Sequence, residues 1–162
     1  MAEASKSDAP TSGEGEVHTG GCLCGAVRYT VVGPMRPVIY CHCGQCRRWT
    51  GHFLAASAAR RSQVTIEDPD GVLKWFISSP GYRRGFCSRC GTPLFWGRDG
   101  GGFYSIPAGS LDDDADLEAV MHVHTGSKGK YYDIHDKLPQ NTDASSTTPE
   151  IEAWREKSRA YK

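Results

Sequence analysis

Between Ala26 and Val32 (Ala-Val-Arg-Tyr-Thr-Val-Val) apolar and polar positions alternate, and the run stops at Gly33-Pro34, so it predicts a half-buried strand with a turn behind it. Pro37-Val38-Ile39-Tyr40 predicts a short second strand that delivers Cys41. The run from His52 to Ala58 is nearly continuous in small and apolar residues. It suits either a buried strand or a short helix, and periodicity does not separate the two. Residues 63–67 and 72–77 flank Asp68-Pro69-Asp70-Gly71, whose Asp-Gly step predicts a hairpin. Further short segments lie at 82–86, which runs into Cys87, at 93–97 after Cys90, at 103–109, and at 121–124, where Met-His-Val-His alternates. Many short strands between such turns predict a mainly β domain. Two stretches read differently. Residues 1 to about 17, rich in Ser, Gly, Glu and Ala, predict a disordered tail, and the polar stretch 139–147 predicts a loose segment. Thr148-Pro149 then places an N-cap before Pro at the first helical position, opening a short helix through Ile151, Trp154 and Arg155. There is no internal repeat.

Composition sharpens this picture. In 162 residues only 38% are hydrophobic, while Gly (19) and Pro (9) are plentiful, which fits a loop-rich β domain helped by metals or cross-links. Lys plus Arg and Asp plus Glu balance at 19 each, which argues against a nucleic-acid binder. The N-terminal residues contain no apolar stretch, and no segment approaches a membrane span, so the expected location is the cytoplasm, with no membrane partner. Disulfides are disfavoured there.

Seven cysteines therefore need another explanation, and their grouping supplies one: Cys22/Cys24, Cys41/Cys43/Cys46 and Cys87/Cys90. Such spacing is that of metal ligands. Cys87-Ser88-Arg89-Cys90-Gly91 and Cys22-Leu23-Cys24-Gly25 are tight pairs, each followed by Gly, and together they supply four ligands for a closed structural zinc. Cys41, Cys43 and Cys46 remain as a tripod with no fourth cysteine, the pattern of a reactive zinc with an exchangeable position. Pairing Cys22/Cys24 with two of the tripod is the alternative partition, and iron–sulfur ligation the alternative chemistry. His42 is a possible fourth ligand, although a residue between two ligands normally faces the other way. Three thiolates make Zn²⁺ a poor acid toward water but well suited to take a fourth thiol as thiolate, the nucleophilic form.

The segments Gly21-Cys22-Leu23-Cys24-Gly25-Ala26-Val27-Arg28-Tyr29, Cys41-His42-Cys43-Gly44-Gln45-Cys46-Arg47-Arg48 and Phe86-Cys87-Ser88-Arg89-Cys90-Gly91-Thr92-Pro93 resemble the GFA/CENP-V family, that of glutathione-dependent formaldehyde-activating enzymes. The similarity covers residues 18–138, leaving 139–162 as a polar extension with a short helix, and His135-Asp136-Lys137-Leu138-Pro139-Gln140 resembles the family's closing segment. The resemblance implies a zinc-stabilised β-tent fold. It places a structural zinc on Cys22, Cys24, Cys87 and Cys90 and a catalytic zinc on Cys41, Cys43 and Cys46. It further implies carbon–sulfur bond formation or cleavage between glutathione, or a similar thiol, and formaldehyde or another small electrophile.

Each candidate has a plainer reading. Arg47 and Arg48 could hold a glutathione carboxylate or could be a solvated turn that offsets thiolate charge, and Arg83-Arg84 raises the same choice. His42, His52, and His122 with His124 on one strand face, are candidate proton donors, each weighed against a structural role. Trp49, Trp75, Phe95, Trp96 and Tyr104 read as core. Asp112-Asp113-Asp114 with Asp116 and Glu118 reads as a solvated loop, and Gly100-Gly101-Gly102 as a turn. The competing function is a non-catalytic zinc module for a protein or nucleic-acid partner. A homodimer is possible.

Overall fold

The computed structural model describes residues 15–113 and 117–161. The expected tail up to residue 14, and Asp114 and Asp116 of the acidic run, lie outside the described residues. In chain order the strands are β1 (Val17–Gly21), β2 (Arg28–Val32), β3 (Val38–Cys41), β4 (Leu54–Arg60), β5 (Val64–Glu67), β6 (Leu73–Ser79), β7 (Tyr82–Cys87), β8 (Pro93–Arg98), β9 (Phe103–Pro107) and β10 (Ala119–Val123). Two α-helices join them, α1 (Gly44–Thr50) and α2 (Pro149–Ser158). The chain is mainly β, as its pattern predicts.

Three strands form a small antiparallel sheet, β1-β2-β5, and seven form a larger one in the order β10-β3-β4-β9-β8-β7-β6. All pairs in the larger sheet are antiparallel except β10 with β3. The alternation read in β2 holds, since Tyr29 and Val31 are buried and Val32 is exposed. The ambiguous 52–58 run is a strand. As β4 it lies between β3 and β9, and Ala56, Ser57, Ala58 and Ala59 are all buried, so both faces are covered and no alternation shows.

The predicted hairpin at Asp68–Gly71 does not form. β5 pairs with β2 and β6 pairs with β7, so this turn carries the chain from one sheet to the other. The cause is local: the Asp68 carboxylate accepts the N–H groups of Val72 and Leu73 at 2.8 and 3.0 Å, bonds that compete with a return along β5.

The main core joins the two sheets through Val27, Tyr29, Val31, Leu94, Phe95 and Ile106, with Cys22 and Cys87 among them. A second core seats α2, where Ile151 packs on Ile39, Met121 and Val123. The helix begins as expected, with the Thr148 hydroxyl accepting from Ile151 N–H and Pro149 in the first turn. The 139–147 segment is not loose. His122 N–H donates to Pro139 O (2.8 Å), Asn141 N–H to His122 O (3.0 Å) and His124 N–H to Asp143 O (2.8 Å). The strap thus covers the outer edge of β10, a pairing that polar composition does not reveal. No helix among the described residues is long and apolar enough to cross a membrane.

Candidate metal centre

Four sulfurs meet where the start of the domain reaches β7. The Sγ atoms of Cys22, Cys24, Cys87 and Cys90 lie within 4.8 Å of one another. Cys22–Cys24 is 3.5 Å and Cys24–Cys87 is 3.8 Å. A tetrahedral ion with Zn–S bonds of about 2.3 Å would separate its sulfurs by about 3.8 Å, so the cluster fits such an ion. Each pair is turned by the glycine behind it, Gly25 at φ 77° and Gly91 at φ 78°, left-handed conformations that side chains disfavour. Thr92 joins the two turns: its hydroxyl accepts Leu23 N–H (3.0 Å) and sits 3.2 Å from Cys90 Sγ. That hydroxyl contact, with burial opposing it, holds the Cys90 thiol down at about 5. Cys22 and Cys87 are buried in the core, while Cys24 is exposed and Cys90 half-buried at its edge.

The other three sulfurs gather where β3 runs into α1. β3 ends on Cys41, Cys43 caps α1, and Cys46 occupies the helix's first turn, all three Sγ atoms within 4.8 Å. Cys43 Sγ accepts Cys46 N–H at 3.4 Å. The thiols of Cys41 and Cys46, then backbone amides of the helix, hold Cys43 far below the ordinary thiol range, while Cys43 and Cys46 push Cys41 up. Among the described residues no fourth Cys, His, Asp or Glu joins this trio, whose donor set suits the same soft, thiolate-preferring ion.

His42 is not the missing ligand. It is fully buried and both ring nitrogens are taken, Nδ1 by Tyr132 OH (2.6 Å) and Nε2 by His122 Nδ1 (2.8 Å), while His122 Nε2 lies 3.0 Å from both Asp136 oxygens. One polarity satisfies every donor: Tyr132 O–H donates to His42, His42 to His122, and His122 to the carboxylate. Burial, then the neighbouring His122, pushes His42 down to about 4, so it sits there as neutral imidazole. This chain packs behind the trio and fixes the Cys41–Cys43 turn.

In front of the trio lies a cavity of about 360 Å³, lined by Cys41, Cys43 and Cys46. Arg47 and Arg48, read either as carboxylate holders or as a solvated turn offsetting thiolate charge, do not line it. Arg36 and Arg84 do. Strand alternation separates the two arginines of β7: Arg83 faces out to Asp99 (2.5 Å), whereas Arg84 is buried with both terminal nitrogens 4.0 Å from Cys46 Sγ and one 3.1 Å from Gln45 Oε1. Of the candidate histidines only His124 reaches this cavity. Its left-handed backbone (φ 57°) ends the alternation of β10, so it does not share a setting with His122. His52 is exposed and packs on Tyr132. Trp96, expected in the core, is instead a cavity wall stacked on Tyr82 at 5.2 Å. Arg36 carries no spacing signal toward the cysteines, and alternation counted back from the buried Cys87 would turn Arg83 inward; a register shift between Gly85 and Phe86 breaks that count, and Arg84 is the one that lines the cavity.

A model of the glutathione-dependent formaldehyde-activating enzyme family matches residues 17–127, a span that holds both sulfur clusters and excludes α2. An uncharacterized lyase of Schizosaccharomyces pombe is 31% identical over 127 residues, 77% of this chain and 90% of that protein. A Halomonas elongata protein, named for glutathione-dependent formaldehyde activation, is 34% identical over 89 residues, 47% of this chain and 53% of its own. A crystal structure of a Rhodobacter sphaeroides protein aligns at 23% identity and a TM-score of 0.49, covering 63% of this chain and 99% of that one. The chain belongs to the glutathione-dependent formaldehyde-activating enzyme family.

Proposed function

We propose that this chain is a zinc-dependent carbon–sulfur lyase or synthase, joining glutathione or a similar thiol to formaldehyde or a related small electrophile. The observation that carries this reading is the trio Cys41, Cys43 and Cys46, three converging sulfurs without a fourth protein ligand among the described residues, facing a cavity. The names of its relatives, a lyase and a glutathione-dependent formaldehyde-activating protein, point the same way. Cys41, Cys43 and Cys46 would hold Zn²⁺, whose contribution when bound is a free position at which a thiol loses its proton and stays nucleophilic.

The chain's own groups provide the remainder. The Arg84 guanidinium beside Cys46 offsets the excess negative charge of three thiolates. Burial of Cys46 against Leu54 and Ala56 keeps one side of the trio dry. His124 lines the cavity and can give a proton to, or take one from, an aldehyde oxygen within reach. The Tyr132–His42–His122–Asp136 chain acts only through position, holding the turn that spaces the first two sulfurs. Cys22, Cys24, Cys87 and Cys90 would hold the structural ion. Because the adduct of a thiol with formaldehyde also forms unaided, the test is a rate. Exchange NMR with ¹³C-formaldehyde and glutathione should show faster interconversion of hydrate and adduct with zinc-loaded protein than without it. No acceleration with any thiol and electrophile would overturn the reading.

A further inference from the structure

A second cavity, about 550 Å³, adjoins the first and shares Arg36, Tyr82, Trp96 and Ser105 with it. Both volumes lie in the range of small-molecule sites. Its walls carry five arginines: Arg36, Arg60 and Arg98 from the sheet side, Arg155 and Arg159 from α2 and its C-cap. None of its lining residues is Asp or Glu. Like charges crowd there: burial, then the positive charge of Arg155, pushes Arg36 down to about 10. The intramolecular partners of these groups are incomplete. Arg36 donates to the Pro37 and Ala56 carbonyls, Arg60 lies over the Phe103 ring, Arg159 pairs with Glu156 at 2.6 Å and Arg155 with Glu152 and the Ser146 carbonyl, but the buried Nε of Arg60 has no hydrogen-bond partner and Arg98 makes no side-chain bond or ion pair among the described residues. Such a wall attracts an anion, and arginine forks suit planar carboxylates.

We infer that this annex binds the carboxylate tail of the thiol substrate whose sulfur enters the cysteine cavity, and that α2, outside the family-matched span, completes it. The inference rests on the thiol reading above and adds to it which end of the substrate is read. With no carboxylate on its walls to receive an ammonium group, the annex favours a carboxylate without an adjacent amine. For glutathione that is the glycyl end, and the γ-glutamyl end stays outside.

The probe is S-methylglutathione, which keeps both carboxylates but has no thiol to ligate a metal, titrated calorimetrically into the intact protein alongside its glycyl monoethyl ester. Binding of the acid should be at least tenfold tighter than that of the ester and should weaken at least tenfold in Arg98→Gln/Arg159→Gln. Both side chains are exposed and neither seats the helix, so the variant should fold with an unchanged melting profile. Equal binding of acid and ester, equal binding by variant and wild type, or no binding of the acid by wild type would each overturn the assignment. Since the probe cannot react, these outcomes do not depend on the rate test above: failed catalysis with intact tail binding would sink the reaction, not the annex.

Discussion

The two sulfur clusters use one donor type in different settings. Cys22 and Cys87 sit in the main core among residues of both sheets, and the four-sulfur set closes on itself. Cys41, Cys43 and Cys46 ride on a strand end and one short helix, with Cys41 and Cys43 half-buried and a cavity before them. One cluster therefore staples elements distant in sequence, 63 residues apart from Cys24 to Cys87, while the other spends its ligands within six positions and constrains little of the chain. Closing a long loop is what makes a cross-link valuable to stability, and an open coordination position is what makes a metal useful to chemistry. Position in the fold thus distinguishes the two clusters where composition cannot.

The sharpest way to break this comparison is to remove one ligand from each cluster. Cys87→Ser puts a hydroxyl in the centre of the core and, on the proposed reading of this cluster as a structural site, would leave three sulfurs for an ion whose binding is coupled to folding. The expected loss is on the order of the whole folding free energy, about 5–15 kcal/mol, read as the absence of a cooperative thermal transition by circular dichroism. Cys43→Ser should leave the fold standing. Serine is itself a good N-cap, so α1 keeps its start. The melting temperature should move by less than about 5 °C, the effect of roughly 1 kcal/mol, while metal analysis shows one ion fewer and the glutathione-dependent rate disappears. If the two substitutions destabilise equally, the division of roles is wrong.

A smaller effect is expected behind the open cluster. Arg84→Gln keeps hydrogen-bonding capacity toward Gln45 but withdraws the positive charge beside Cys46. Groups that support metal ligands typically change affinity by about 10–100-fold, so chelator competition should find the open-cluster ion lost that much more readily, with the closed-cluster ion unmoved.

Most of this division was legible in the chain itself. The cysteine spacings separate four sulfurs from three, and the glycine after each pair marks where the backbone must turn. The Thr148-Pro149 signal locates α2 and the alternation in β2 locates its buried face. What stayed hidden has physical causes. The helix α1 spans seven residues, too few for a hydrophobic period, and is capped by Cys43, which no capping rule prefers. The hairpin expected at Asp68–Gly71 fails because the Asp68 side chain bonds the following amides, and a dipeptide preference does not register that competition. Of the two readings of Arg47 and Arg48, that of a carboxylate holder rested on nearness to Cys46 in sequence. Arg36 and Arg84 reach the cavity through the larger sheet's packing, which puts residues from separate segments beside three sulfurs.

The finest test of the comparison lies in Thr92, which serves the closed cluster alone. Its hydroxyl takes Leu23 N–H at 3.0 Å and approaches Cys90 Sγ at 3.2 Å, so one side chain ties the first cysteine pair to the second. Thr92→Val preserves shape and removes both contacts. Leu23 is exposed, so water replaces the lost acceptor, and the stability cost should stay near 1 kcal/mol, about 4 °C or less in melting temperature. The metal should respond more clearly than the fold, because Cys90 loses the hydroxyl that holds its thiol near 5. Zinc should therefore leave the closed cluster faster at mildly acid pH in Thr92→Val, while the open cluster and the glutathione-dependent rate are unchanged. A change at the open cluster instead would mean that the two sulfur groups are coupled through the sheet rather than independent.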